Sequence, residues 1–326
     1  MIIGADSMKS FVLDDGLNVQ TDGYSGIRCI SDGTLMLTGA TGFLGSHLLR
    51  GILNETGYDV IVLKRSISNT SRIDAELEDK RVISYNIDCI PLEEIFAKSQ
   101  INIIVHAATN YGRNNENILE LVESNLILPL NLLKLGVEYG LSVFVNTDTF
   151  IDRRINYYSM SKSQFLDWFK TYADSIKCFN LRLEHVYGEY DNMEKFVSYI
   201  VRSLLEDVPC IDLTPGNQKR HFIYVGDVVS AFICVIKNME SIDSGFSIFD
   251  ISTEKSITIK DFVLQAKKMT GNTRTKLNFG ILPYRDGEMM DIYPDIRPLV
   301  TLGWKPVVSL ENGLLMMIEK ERLKLP

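Results

Sequence analysis

Cysteine is scarce in this 326-residue chain, which has five cysteines between Cys29 and Cys234 and none at Cys-x-x-Cys spacing. The odd count and irregular spacing disfavour both a disulfide framework and a zinc site. The four histidines lie far apart, and none has a carboxylate at metal-ligand spacing. The sequence therefore predicts no metal centre and a protein of a reducing compartment, the cytoplasm.

Basic residues are fewer than acidic ones, and long apolar runs are absent from the sequence. The chain has 34 basic and 42 acidic residues, a net charge of −8, whereas nucleic-acid phosphates are bound by basic surfaces. No apolar run approaches the roughly 20 residues that span a bilayer, and the first residues show no signal-peptide pattern. We therefore expect neither a nucleic-acid partner nor a membrane segment.

Short apolar runs do recur from residue 34 onward. The runs at 34–37, 60–63, 82–85, 101–105 and 141–145 alternate with stretches whose apolar residues have helical spacing. Buried runs between amphipathic helices are typical of βαβ units. The pattern predicts an α/β fold with a doubly wound parallel sheet, because right-handed crossovers place helices on both faces.

A glycine-rich turn follows the first apolar run, with the sequence Thr38-Gly39-Ala40-Thr41-Gly42-Phe43-Leu44-Gly45. Glycines between a strand and a helix allow a tight turn that brings the backbone close to a pyrophosphate. The amides and the positive dipole end of the helix would then hold the phosphates. The predicted cofactor contacts in this turn are Gly39, Thr41, Gly42, Phe43, Leu44 and Gly45.

Three motifs in order along the chain resemble the extended short-chain dehydrogenase/reductase family, also called the NAD-dependent epimerase/dehydratase family. They are the Gly-x-x-Gly-x-x-Gly turn, His106-Ala107-Ala108 after the fourth apolar run, and Tyr158-x-x-x-Lys162 at the start of a helix. A stretch at 302–314 is also similar, so the resemblance covers about residues 34–320. It implies a Rossmann fold that binds a nicotinamide cofactor, with further contacts from Ala107, Ala108 and Thr109.

The pattern along the chain also predicts a domain organisation. Residues 1–33 would be an N-terminal extension, and residues 34–183 the Rossmann domain. Residues 184–326 would form a smaller, interleaved substrate-binding lobe, with strands from about 222–255 returning to the first domain. A homodimer through the helical stretches at 117–138 and 159–172 would follow the family.

Tyr158 and Lys162 are the predicted catalytic pair. Their i,i+4 spacing puts both side chains on one helix face, and a nearby ammonium group favours the tyrosinate form. The resemblance implies that Lys162 also fixes the nicotinamide ribose and that a hydroxyl at the end of the fifth strand binds the substrate carbonyl. Thr147 takes that position by alignment and Thr149 is the alternative, while Asp148 stands where related dehydratases carry an acid.

The end of the second apolar run bears on the choice of cofactor. Lys64-Arg65-Ser66 stand where NAD-preferring members carry an acid that binds the adenosine ribose. Two cations and a hydroxyl suit a 2′-phosphate, because a guanidinium group can bind it through two hydrogen bonds. The sequence therefore predicts NADPH rather than NADH, with Asp88 near the adenine ring.

The substrate-binding lobe carries two arginines whose surroundings resemble the family's diphosphate contacts. Arg220 lies in the stretch Lys219-Arg220-His221-Phe222, and Arg285 lies in Arg285-Asp286-Gly287-Glu288. A histidine follows Arg220 where the family usually has aspartate. The remaining predicted substrate contacts are Tyr111, Asp148 and Thr149.

Only eleven positions separate Thr147 from Tyr158, a short connection that resembles the branch of CDP-abequose synthase and its relatives. Members of that branch reduce the 4-keto group of nucleotide-linked 6-deoxy sugars. The leading prediction is thus an NADPH-dependent reductase of a nucleoside-diphosphate 4-keto-6-deoxyhexose. A nucleotide-sugar 4-epimerase or 4,6-dehydratase is the alternative enzyme, and a catalytically silent binding protein of the same fold is the third possibility.

Overall fold

The computed structural model describes residues 32–112 and 117–323, and within these residues seven parallel strands form one sheet. The strands of the whole described chain are β1 (Thr34–Thr38), β2 (Asp59–Lys64), β3 (Val82–Asn86), β4 (Ile103–His106), β5 (Val143–Thr149), β6 (Lys177–Leu183), β7 (His185–Tyr187), β8 (Cys210–Leu213), β9 (Lys219–Arg220), β10 (Phe222–Tyr224), β11 (Phe246–Ile251), β12 (Ile257–Thr258) and β13 (Lys276–Phe279). The sheet has the order β11-β6-β5-β4-β1-β2-β3.

Helices cover both faces of this sheet. They are α1 (Phe43–Glu55), α2 (Leu92–Lys98), α3 (Ile118–Val122), α4 (Leu128–Glu138), α5 (Tyr157–Lys170), α6 (Phe196–Leu205), α7 (Val225–Lys237), α8 (Ile259–Thr270), α9 (Arg297–Thr301) and α10 (Leu310–Arg322). A π-helical segment, Glu123–Ile127, joins α3 to α4. Two short 3-10 turns, Glu76–Glu78 and Met239–Ser241, complete the described helical structure.

The strand residues divide between two apolar cores, one on each side of the sheet. Leu35 and Leu37 of β1 pack with residues of α1 and α7, whereas Met36 packs with residues of α4 and α5. Successive side chains of a strand point to opposite faces, so a run without polar residues is buried on both sides. The strand order β3-β2-β1-β4-β5-β6 is that of a doubly wound dinucleotide-binding fold, and the predicted fold class is confirmed.

A third core lies among α6, α8 and α10, where Phe222 stacks on Phe262 with ring centroids 4.1 Å apart. Short strand pairs border it: β8 with β13, β9 with β12, and β7 with β10. Of the strands expected to return to the main sheet, β11 does so beside β6. β10 instead pairs with β7, because that pair belongs to the third core.

Two parts of the predicted organisation receive no test from this fold. Residues 1–31 of the predicted extension lie outside the described residues. The described residues form one compact unit. The division at residue 183 therefore stays a prediction. Among the described residues, no helix combines the length and apolar character needed to cross a membrane.

Candidate functional site

The carboxyl ends of β1, β4 and β5 meet at one edge of the sheet. β4 lies between the other two strands, with Thr38 opposite His106 and His106 opposite Asn146. Ligands of open α/β sheets bind in the crevice at such an edge, where the strand order reverses. Most of the residues predicted for the cofactor and for catalysis lie here.

The glycine turn after β1 requires glycine for close packing. Gly39 has φ of +72°, and a Cβ atom on it would lie 2.5 Å from the backbone nitrogen of Ala108. A Cβ atom on Gly45 would lie 2.0 Å from the Gly39 carbonyl oxygen. The turn thus packs against the loop after β4 and against the first turn of α1, which leaves no room for side chains at either position.

Helix α1 begins just after a glycine, which has no side chain to cap the first amides of the helix. Gly42 is the N-cap residue, and the first turn carries no acidic side chain. The first amides of a helix have no intrahelical acceptor and lie at the positive end of its dipole. The amides of Phe43, Leu44 and Gly45 therefore fit the pyrophosphate of a dinucleotide.

The loop after β4 is held by a buried histidine and a threonine. The Thr38 hydroxyl lies 2.9 Å from Nδ1 of His106 and accepts a hydrogen bond from the Ala108 amide at 3.1 Å. Complete burial, with a smaller effect of Lys162, holds the pKa of His106 well below its ordinary value. His106 is therefore neutral and acts as a fixed part of the cofactor loop.

Asn125, which the sequence analysis did not assign to the site, joins the cofactor loop to the catalytic helix. Its side-chain oxygen accepts hydrogen bonds from the Thr109 hydroxyl (3.2 Å) and the Asn110 amide (2.8 Å). Its amide group donates to the Asn110 carbonyl (2.7 Å) and to the Ser161 hydroxyl (3.0 Å). Asn125 lies in the π-helical segment, a distortion that is frequent at functional sites. No local sequence signal separates it from an ordinary helical asparagine.

Lys162 reaches the end of β5 from α5. Its side chain is only 2% exposed, and Nζ donates to the carbonyl oxygen of Thr147 at 2.9 Å. Burial lowers the pKa of Lys162 to about 8, although the Asp148 carboxylate opposes this shift. The ammonium form is therefore still the main form at neutral pH.

Tyr158 contacts Thr149 rather than Thr147. The Thr149 side chain lies close enough to the phenol to lower its pKa, while the Thr147 hydroxyl donates to the carbonyl oxygen of His106 at 3.0 Å. Thr149 also accepts a hydrogen bond from the amide of Ile151 at 3.2 Å. The two threonines lie on the same face of β5, but Thr149 lies two residues nearer to the sheet edge.

The pKa of Tyr158 is raised, which differs from the expectation that Lys162 favours the tyrosinate form. Burial is the main cause, and the Tyr111 and Asp148 side chains add to it, whereas the Thr149 side chain opposes it. The Tyr111 ring packs on the Tyr158 ring with centroids 5.0 Å apart. In this state of the protein the phenol keeps its proton.

Asp148 is part of a buried polar chain between β5 and β6. Its carboxylate accepts a hydrogen bond from Asn180 at 2.8 Å, and Asn180 accepts one from Asn146 at 2.7 Å. The other carboxylate oxygen accepts from the Thr149 amide at 2.8 Å. Asp148 thus fixes the backbone of the threonine that contacts the phenol.

At the end of β2, the three residues predicted to bind a 2′-phosphate differ in their partners. Lys64 donates to Asn86 at 2.6 Å, and both the amide and the hydroxyl of Ser66 donate to the Asp88 carboxylate. These bonds lower the pKa of Asp88, so its charge is kept beside Ser66. The exposed Arg65 is therefore the member of the group best placed to receive a phosphate.

The two predicted diphosphate arginines lie in different environments. Arg220 is 6% exposed, forms an ion pair with Glu288 and donates to the Met289 carbonyl oxygen at 2.7 Å. Arg285 is exposed at a turn of the same segment, three residues before Glu288. Arg220 could bind a diphosphate only if Glu288 released its guanidinium group, whereas Arg285 needs no such exchange.

Lys195 is a cation of the site that the sequence analysis missed. It precedes α6 and pairs with the buried carboxylate of Asp191 at 2.9 Å. Its Nζ lies 5.0 Å from the Phe43 ring centroid and 5.6 Å from that of Tyr111. A single lysine before a helix gives no sequence signal, and only the fold brings Lys195 close to the rings of Phe43 and Tyr111.

Among the described residues, no group of three or more histidine, cysteine, aspartate or glutamate side chains is arranged to hold a metal ion. The groups of this site that could bind a phosphate or a carbonyl oxygen are amides, hydroxyls, a phenol and ammonium or guanidinium groups. They suit a phosphate-bearing cofactor and proton transfer to or from a carbonyl oxygen.

Comparison with known proteins agrees with this geometry. The CDP-abequose synthase of Salmonella muenchen is 37% identical over 297 residues, covering 87% of this chain and 96% of the relative. The dTDP-4-dehydro-6-deoxyglucose reductase of Escherichia coli is 25% identical, covering 89% and 98%. The solved UDP-glucuronic acid 4-epimerase of Bacillus cereus, in complex with UDP-glucuronic acid and NAD, superposes with a TM-score of 0.78 over 90% of this chain and all of the other, at 22% identity.

The profile of one family matches residues 35–251, from β1 to the end of β11. This span contains the glycine turn, the loop after β4 and the Tyr158-Lys162 pair. The family predicted from those motifs is confirmed: the chain belongs to the NAD dependent epimerase/dehydratase family.

Proposed function

We propose that this protein is an NADPH-dependent reductase that converts a nucleoside-diphosphate 4-keto-6-deoxyhexose into the corresponding alcohol. The observation that carries the proposal is the position of the Tyr158 phenol, which packs on the Tyr111 ring beside Thr149 at the edge of the sheet and keeps its proton. Reduction of a ketone leaves an oxyanion that needs a proton. A tyrosine that keeps its proton in the free enzyme suits this direction of the reaction.

Tyr158, Thr149 and Lys162 have separate roles in the proposed reaction. A nicotinamide cofactor held by the glycine turn and the loop after β4 would supply a hydride to C4 of the sugar. Tyr158 gives its proton to O4, and the Thr149 hydroxyl donates a hydrogen bond to the same oxygen as negative charge develops. Lys162, positively charged below about pH 8, stabilises the tyrosinate that the transfer leaves behind. The ketone is reduced to an alcohol, and the cofactor is oxidised.

Thr149 replaces Thr147 as the proposed catalytic hydroxyl. The support is the contact of Thr149 with the phenol, together with the hydrogen bond that occupies the hydroxyl of Thr147. In this proposal Thr147 acts through its carbonyl oxygen, which accepts a hydrogen bond from Lys162 and holds the ammonium group in place.

The preference for NADPH rests on Arg65 and Lys64. Arg65 provides the exposed guanidinium, and Lys64 contributes charge from its place beside Asn86. Asp88 opposes a 2′-phosphate electrostatically, and it occupies the Ser66 hydroxyl. The proposal is therefore that Arg65 supplies most of the selectivity.

The substrate class is supported by two named relatives. One is called CDP-abequose synthase and the other dTDP-4-dehydro-6-deoxyglucose reductase, and this chain covers nearly all of each. Arg285 and Lys195 are the cations proposed to receive the diphosphate of the substrate. Tyr111, which packs on Tyr158, would border the sugar.

A homodimer through α3, α4 and α5 is also proposed. Large apolar side chains stand exposed on α3 and α5, among them Leu119 (70% exposed), Tyr157 and Trp168 (56%). Apolar surface of this kind commonly marks an interface.

The test is an assay with purified protein, NADPH and a panel of CDP-, dTDP-, UDP- and GDP-linked 4-keto-6-deoxyhexoses. The proposal predicts that one panel member is consumed in equal amount with NADPH. Interconversion of C4 epimers without net oxidation of the cofactor would instead identify an epimerase. Cofactor binding without turnover on any panel member would identify a silent relative.

A further inference from the structure

His221 lies between β9 and β10 with only 7% of its surface exposed, and both of its ring nitrogens face carbonyl oxygens. Nδ1 is 2.7 Å from the carbonyl oxygen of Thr253, just beyond β11. Nε2 is 3.2 Å from the carbonyl oxygen of Ile292. The imidazole ring thus bridges two chain segments that are distant in sequence.

Carbonyl oxygens only accept hydrogen bonds, and this decides the protonation state that fits the contact. A neutral imidazole has one N–H group and one lone pair, so one of its nitrogens would direct a lone pair at an oxygen. The imidazolium form donates from both nitrogens, and each bond is then charge-assisted. The geometry therefore suits protonated His221.

The segment that His221 fastens, residues 285–292, is held along β9 by neighbouring contacts. The amide of Lys219 donates to the Met290 carbonyl oxygen at 2.8 Å, and Arg220 pairs with Glu288. His221 supplies the last contact of this series, at Ile292. The charged or titratable groups on the surrounding elements are His185, Lys219, Arg220, Asp250, Glu254, Lys255, Glu288, Asp291 and Asp295.

Most of these groups have partners of opposite charge. Lys219 lies 3.7 Å from Asp291, Arg220 pairs with Glu288, and Arg182 holds Asp250 at 2.7 Å. Because these groups are paired with one another, the imidazole ring itself makes the two carbonyl contacts, and both of them are donor contacts only when the ring carries two protons.

The fastened segment borders the proposed substrate pocket. It carries Arg285, and its Gly287 packs so closely on the loop before α5 that a Cβ atom there would lie 2.8 Å from the Ile155 side chain. That loop leads directly to Tyr158. A change in the position of residues 285–292 would therefore move a predicted diphosphate ligand without touching the cofactor turn.

We infer that protonated His221 is a positioning residue that fastens residues 285–292 over the nucleotide-sugar pocket, so that substrate affinity depends on pH. The inference rests on the proposed function for the identity of the substrate. It concerns binding and leaves the chemical step to Tyr158 and its neighbours.

The first test measures binding of CDP-, UDP- and dTDP-glucose by calorimetry between pH 5.5 and 8.5, since their diphosphate diesters do not titrate in this range. Wild-type affinity for the best ligand should fall about tenfold across the range, as expected for loss of one charge-assisted hydrogen bond. His221→Gln, which keeps a donor near Ile292 but cannot titrate, should bind with little dependence on pH. NADPH affinity should be the same in both proteins.

A second measurement keeps the inference testable if none of these ligands binds. Hydrogen exchange of residues 285–292 is compared in wild type and His221→Gln at each pH, so that the intrinsic effect of pH cancels. Protection of this segment should decrease with pH in the wild type relative to the variant. Equal pH dependence of exchange in the two proteins would overturn the inference, as would an affinity slope that survives in His221→Gln and disappears in His185→Gln. Failure of ligand binding alone, with the exchange result intact, would count against the proposed function only.

Discussion

Thr147 and Thr149 differ in what their hydroxyls contact, although they share one strand and one face. The Thr149 side chain lies near the phenol and lowers its pKa, whereas the Thr147 hydroxyl donates a hydrogen bond to the carbonyl oxygen of His106. A donor aimed at a developing oxyanion contributes far more to catalysis than one engaged elsewhere.

We therefore expect Thr149→Ala to lower kcat about 10²- to 10³-fold, the usual cost of losing one oxyanion donor. Thr147→Ala is the matched control and should lower kcat much less, because the backbone carbonyl that holds Lys162 is retained. Steady-state kinetics of both variants with the 4-keto substrate give the ranking. The opposite ranking would return the catalytic role to Thr147.

Lys162 illustrates how function opposes stability at a single residue. Its folded-state pKa of about 8 lies below the ordinary lysine value of 10.5, so the folded state disfavours its charge. The resulting destabilisation is fully present below about pH 8, and it is relieved as pH rises toward the unfolded-state value.

Lys162→Met should accordingly abolish reduction and yet raise the free energy of unfolding at pH 7 by about 1–3 kcal/mol. The gain should shrink between pH 8 and pH 10.5, where the folded wild type has lost the buried charge and the unfolded chain still binds the proton. Denaturant unfolding of the cofactor-free proteins at several pH values measures this. A destabilised variant at pH 7 would show that the hydrogen bond to Thr147 outweighs the cost of burial.

At the scale of elements, the end of β2 and the loop after it determine which cofactor is bound. The sequence predicted a group of three phosphate ligands, and the structure divides them, because Asp88 reaches across from the end of β3 to Ser66. Such a contact between loops cannot be read from either loop alone.

Arg65→Ala should reduce the preference for NADPH over NADH, which we expect to be about tenfold or more in the wild type. Asp88→Asn is the companion variant and should increase that preference, since it removes a negative charge near the proposed phosphate. The ratio of kcat/KM for the two cofactors is measured in all three proteins. A wild type without preference would refute the assignment of Arg65.

The elements themselves were largely predictable, and their contacts less so. Short apolar runs located the first five strands of the sheet. Four of them, β1, β2, β4 and β5, are buried on both faces and so leave a signal that needs no tertiary information. The pairing of β10 with β7 was not foreseen, because the sequence of a three-residue strand does not indicate which other strand it pairs with. Asn125 and Lys195 were missed for a related reason: each joins elements that only the completed fold brings together.

At the scale of the whole molecule, the exposed apolar residues of α3 and α5 concern assembly. Trp168→Glu should convert the proposed dimer into a monomer, because it places a charge in the expected interface. Val307→Glu, at an exposed apolar residue away from these helices, should leave the oligomeric state unchanged. Light scattering after gel filtration reports both masses. A monomeric wild type, or a dimer that tolerates Trp168→Glu, would contradict this interface.

The central claim is reduction at C4 with the proton supplied by Tyr158, and transfer of deuterium tests it most directly. NADPH carrying deuterium at the transferable position is incubated with the 4-keto nucleotide sugar that the panel identifies, and the product is analysed by NMR. The account predicts one deuterium at C4 for each cofactor oxidised, and loss of product formation with nearly unchanged NADPH affinity in Tyr158→Phe. Product without deuterium at C4, or full turnover in Tyr158→Phe, would contradict the account.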